Sequence, residues 1–145
     1  RAHVARANPL WKLDGVETLV VFQGPHAYIS PSLYEEKPVT GKVVPTWNYA
    51  VVHAHGVLRA VDDPAWLLAL LERLTARHEG ERERPWAVAD APAGYIETLR
   101  KAIVGIEIVL TRLDGKWKLS QNRPVADQRA VAAEVPALAP WMPPI

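Results

Sequence analysis

Four short segments of this 145-residue chain gather side chains that could do chemistry. The first, His3-Val4-Ala5-Arg6-Ala7-Asn8-Pro9, ends a strand in Arg and Asn at a turn before a short helix. A guanidinium placed there pairs bidentately with phosphate oxygens, and backbone N–H groups at a helix start add donors. The same residues also read as an exposed Arg6 and an Asn8 that caps the helix. The second segment, Val44-Pro45-Thr46-Trp47-Asn48-Tyr49, flanks an amide with two large aromatics. Rings supply stacking area for a flat heterocycle, and Asn48 supplies a donor and an acceptor. In a strand, Trp47 and Tyr49 share one face and Asn48 takes the other. All three meet one ligand only where the strand bends; otherwise they are barrel core.

The third segment is His53-Ala54-His55, whose period-2 spacing puts both imidazoles on one strand face. A metal or haem iron would use such nitrogens. Two ligands do not complete a metal site, and no carboxylate follows at the spacing a cupin would need, so no metal is expected. Each ring instead finds a polar partner or a contact in a dimer. The fourth segment, Lys116-Trp117-Lys118-Leu119-Ser120-Gln121-Asn122-Arg123-Pro124, crowds three cations and three short polar side chains at a strand end. It suits an anionic ligand or a polar dimer contact, and equally a hairpin end leading to a helix. No catalytic constellation assembles. Ser30, Ser32 and Ser120 sit in no GxSxG pattern, and neither a P-loop nor GxGxxG occurs.

The elements that must hold these residues follow from periodicity. Asp14-Gly15 is a turn, and Thr18–Gln23 is a strand rich in β-branched and aromatic residues. His26–Ser30 is a further extended piece, ended by Pro31. A polar loop fills 32–44. A long strand runs from Thr46 to Val61, with Gly56 as a bulge or bend. Asp62-Asp63-Pro64 starts a helix carrying Trp66, Leu67, Leu70, Leu71 and Leu74 on one face, ending near His78 before Gly80. Pro92–Lys101 is a shorter helix. Ile103–Thr111 is a strand, Asp114-Gly115 a hairpin turn, and Trp117–Leu119 its partner strand. Pro124–Ala133 is helical. The proline-rich stretch 136–145 forms a tail that packs by Trp141 or wanders. This order predicts a mainly β protein with helices (α+β), an antiparallel Greek-key-like barrel with helices at one side.

Composition narrows the function. With no cysteine, disulfides, zinc–thiolate sites and thiol nucleophiles are excluded, and a cytoplasmic home is the expectation. A net charge of +1 gives a broad phosphate-binding groove no support. No apolar run is long enough for a membrane helix. The chain starts at Arg1, and its one methionine is Met142, which reads as an incomplete chain or a processed product.

Taken in order, HVARANPLW, VVFQGPHAYISPSLY, VPTWNYAVVHAHG, DDPAWLLALLERLT, AIVGIEI and GKWKLSQNRP resemble the PaiB family over His3 to about Pro124. The resemblance implies an FMN-binding split barrel over 1–135, followed by the 136–145 tail. It implies a homodimer with FMN at the subunit interface and a role in negative transcriptional regulation of protease synthesis and sporulation. DNA as a partner comes from the resemblance alone. A flavin-dependent oxidoreductase and a haem-binding barrel are the alternatives. The cofactor-binding residues so implied are His3, Arg6 and Asn8 near the phosphate, Trp47, Asn48 and Tyr49 beside the flavin, and Lys118, Gln121, Asn122 and Arg123 as a C-terminal contact. The resemblance also implies an N-terminal portion, with further barrel strands and flavin contacts, that is expected to be absent from this chain. Leu33 stands where relatives often carry Trp.

Overall fold

The computed structural model describes residues 1–144. Four strands form one sheet: β1 (Ala2–Ala5), β2 (Glu17–Ile29), β3 (Thr46–Val61) and β4 (Ile103–Lys118). Their order is β1-β4-β3-β2, a run of three neighbours with β1 returning beside the last, which is Greek-key connectivity. β1 pairs antiparallel with β4, Ala2 opposite Ile106 and Ala5 opposite Ile103. The helices are α1 (Lys37–Thr40), α2 (Pro64–Glu79), α3 (Ala93–Lys101) and α4 (Val125–Glu134). The protein is therefore an α+β fold of the antiparallel split-barrel class. No helix among the described residues is long and apolar enough to cross a membrane.

Two compact units divide the chain, and the long strands run through both. Unit 1 comprises Arg1–Leu19 with His55–Arg112. Its longest helix, α2, starts as its sequence requires. The Asp63 carboxylate accepts from the Ala65 and Trp66 amides, Pro64 fills the first turn, and Leu67 and Leu70 are buried. Such a cap stabilises a helix by about 1 kcal/mol. Gly56 lies in β3 where the Val109 carbonyl of β4 approaches so closely that any Cβ would collide with it.

Unit 2 comprises Val20–Ala54 and the residues from Leu113 onward. Its core joins Ile29, Tyr34, Leu119, Val131, Leu138 and Met142. The tail therefore packs through Leu138 and Met142, while Trp141 stays half exposed, the reverse of the anchor expected from ring size.

The extended pieces expected at 18–23 and 26–30 join in one strand, β2, carried through Gly24-Pro25. Pro25 is tolerated because β2 is an edge strand of the sheet. One expected turn is absent: Asp114-Gly115 is not a hairpin turn, since β4 runs on to Lys118. A tight hairpin needs positive φ, which Gly15 adopts (φ 80°) and Gly115 does not. Gly115 has another reason to lack a side chain: the Trp117 ring two residues on lies over it, in the space a Cβ would fill.

Candidate functional site

A groove of about 830 Å³ opens in unit 2, within the size range of small-molecule sites. One wall is β3, where alternation sends Trp47, Tyr49, Val51 and His53 to a single face. A second wall is β2, supplying Val21, Gln23 and His26. The third is Asp114, Gly115 and Lys116 of β4. Val21 and Gln23 are odd-numbered and His26 is even-numbered. The side-chain alternation of β2 therefore shifts by one across Gly24-Pro25, and this shift returns His26 to the groove face while Ala27 and Ile29 turn inward. The His26 ring stacks on Trp47, centroids 5.8 Å apart and planes 23° from parallel, and Tyr28 meets Trp47 edge-on at 6.4 Å. Trp47 remains 49% exposed. A large apolar ring held by neighbours yet open to solvent is a stacking platform rather than core.

Asn48 points away from this groove. It is 1% exposed, and its Nδ2 donates to Ser120 Oγ at 2.8 Å. The two aromatics and the amide thus stand on opposite faces, as strand geometry requires. The C-terminal block is mostly self-satisfied. Lys118 Nζ donates to Thr46 Oγ1 at 2.6 Å, and Gln121 Oε1 accepts from the Leu119 amide at 2.6 Å. The Arg123 guanidinium lies 4.1 Å from the Tyr34 ring centroid, and Asn122 is exposed in the turn before α4.

Arg6, in unit 1, is equally committed. Its Nη1 and Nη2 donate to the two Asp62 oxygens at 3.0 and 2.6 Å, while Nε donates to the Lys101 carbonyl at 3.0 Å and Nη2 also to that of Ile103 at 3.2 Å. Hydrogen bonding to Arg6 holds the Asp62 carboxyl below its ordinary range, and the same bond raises Arg6 further. Asn8 caps the turn Pro9–Leu13 by accepting from the Leu10 amide at 3.0 Å. His3 lies on β1 opposite Gly105, exposed. Here Arg6 and Asn8, two of the residues expected near a phosphate, engage their own chain.

The two strand histidines have different surroundings. His53 lines the unit 2 groove. His55 belongs to unit 1, where Arg112 Nη2 stands 2.8 Å from its Nε2. A guanidinium only donates, so that ring nitrogen serves as the acceptor of the pair. Sequence reasoning missed Val21, Gln23, His26 and Val51 as groove residues. The run of odd-numbered side chains from Trp47 to His53 carried the signal for β3, but nothing local announced the alternation shift in β2.

The family described as "Putative FMN-binding domain" matches residues 1–112. The chain belongs to that family. Its β2 and β3 groove residues fall inside the matched region, and Asp114–Lys116 follow directly after it. Among curated proteins, the chain is 35% identical over 138 residues to Protease synthase and sporulation protein PAI 2 of Bacillus subtilis, covering 92% of this chain and 62% of that protein. This is the PaiB likeness expected from the motifs. The chain is also 44% identical over 126 residues to an uncharacterized protein of Emericella nidulans, covering 79% of this chain and 50% of the relative. A third, from Aspergillus fumigatus, is 41% identical over 165 residues, covering 90% and 63%. The chain thus spans half to just under two thirds of the length of these relatives.

Proposed function

We propose that this protein binds FMN in the unit 2 groove and serves as a flavin-binding regulator of the PaiB type. The observation that carries the reading is the Trp47–Tyr49 wall, half open and stacked by His26, beside a groove of suitable volume in a chain of an FMN-binding family. The donor set fits the group. Trp47 and Tyr49 offer faces to a flat tricyclic ring, the Gln23 amide and the His26 and His53 imidazoles offer partners to its polar edge, and Lys116 offers a cation to its phosphate. When bound, FMN supplies a ring that accepts a hydride or single electrons, while the protein orients it and shields it from water. The regulatory part rests on likeness to the Bacillus subtilis sporulation protein. A homodimer in the cytoplasm completes the proposal. The edge strand β2 exposes Phe22 on the face away from the groove, an apolar side chain that a second copy would cover.

Reconstitution tests this directly. The purified protein is incubated with FMN, desalted, and its visible spectrum recorded. Retained flavin bands at one per chain support the reading, and their absence defeats it. His53 in the groove wall favours a second reading as a haem site, since one imidazole suffices to ligate iron. A Soret band retained after incubation with haem, and lost in His53→Ala, would favour that reading over flavin.

A further inference from the structure

We propose that Asn48 and Ser120 are positioning residues for the groove: a buried latch sets the Trp47–Tyr49 wall against the Lys116 wall without touching what the groove holds. The proposal rests on the reading that the groove binds FMN. Two unfavourable features face each other behind that wall. Asn48 is a primary amide at 1% exposure, and among the described residues its Oδ1 has no donor. Ser120 is 4% exposed and, among the described residues, is the non-glycine with positive φ, at 62°. A turn that needed only this backbone conformation would be served better by glycine. A serine there is explained by its hydroxyl, which accepts from Asn48 Nδ2 at 2.8 Å. Strain of this kind persists where surrounding structure over-determines it.

The latch acts on the groove through short covalent paths. Asn48 lies between Trp47 and Tyr49, so fixing its side chain fixes the strand that aims both rings to the opposite face. Ser120 ends the segment that begins with Lys116. Between them, Lys118 Nζ reaches Thr46 Oγ1 at 2.6 Å, and Gln121 Oε1 accepts from the Leu119 amide at 2.6 Å. The beginning of β3 and the end of β4 are thereby tied twice, once on each side of Trp47.

Ser120→Gly separates positioning from general stability, because glycine relieves the backbone strain while deleting the hydroxyl. The expected result has three parts. The melting temperature of Ser120→Gly stays at or above wild type. Its FMN dissociation constant rises at least about five-fold, roughly the loss of one hydrogen bond. Amide exchange at 46–50 and 116–119 quickens in the ligand-free protein. Ser120→Ala, which keeps the strain, shows the same loss of affinity with a lower melting temperature. Wild-type FMN affinity or wild-type exchange in Ser120→Gly overturns the proposal. If the wild-type protein binds no FMN, the functional reading fails, and the exchange comparison alone decides the latch.

Discussion

The turn after β1 and the groove beside Trp47 draw on the same residue types, cations, amides and large aromatics, and they use them in opposite ways. Around Arg6, all three guanidinium nitrogens donate to Asp62 or to backbone carbonyls, Asn8 caps its own turn, and Trp11 Nε1 donates to the Arg6 carbonyl. Around Trp47, the rings stack on one another yet stay half open, and Lys116, Gln23 and His26 line an accessible wall. A cation whose donors are already engaged must break those bonds to meet a ligand, and a cation at a groove wall need not. Residue type therefore nominates both regions, and only the state of the donors separates a clasp engaged with its own chain from a groove wall whose donors face solvent.

The groove depends on the unit 2 core beneath it, and the largest expected effect lies there. Leu119→Ala should destabilise the protein by about 2–5 kcal/mol, as buried leucine truncations do, because Leu119 is 1% exposed among Ile29, Tyr34 and Val131. Chemical denaturation measures it. A loss no larger than that of Arg6→Ala would show that the groove does not rest on this core.

The ligand side of the comparison is sharper. Lys116→Ala should weaken FMN about five-fold, the value of about 1 kcal/mol for an exposed charge pair, and leave riboflavin binding unchanged, since riboflavin has no phosphate. Arg6→Ala should leave the affinity of both ligands at wild type. The opposite pattern, FMN weakened by Arg6→Ala and indifferent to Lys116→Ala, would move the phosphate to the clasp and reverse the assignment.

The smallest effect is the pH dependence of the clasp. Asp62 has a lowered folded pKa, so its pairing contributes stability above the unfolded value, about 3.9 for aspartate, and loses it as pH falls through the lower folded value. Asp62→Asn should thus melt slightly below wild type at neutral pH, and the two curves should converge in acid. The pair is solvent-exposed, so salt should narrow the gap as well. A gap that persists in acid would assign the effect to packing rather than charge.

The sequence made much of this legible, and the boundary is physical. The Asp63 cap, the α2 stripe, β3 and the opposed faces of Trp47 and Asn48 all follow from local rules of spacing. The Asp114-Gly115 turn did not form because Gly115 makes room for the Trp117 ring, a contact that composition does not distinguish from a hairpin signal. The Arg6–Asp62 pair was not legible, because Asp62 is 56 residues away and no local rule links the two. The shift at Gly24-Pro25 that delivers His26 to the groove was hidden for a similar reason. An alternation change shows only once the neighbouring strand fixes which face is open.

The central claim is that the unit 2 groove holds FMN against Trp47, and a fluorescence titration of FMN into wild type and Trp47→Ala tests it most directly. Ring stacking contributes about 0.5–1.5 kcal/mol, so Trp47→Ala should raise the dissociation constant between about two-fold and ten-fold. Its melting temperature should barely change, because the side chain is half exposed. Equal FMN affinity in the two proteins, with both folded, would place the flavin elsewhere and contradict the account.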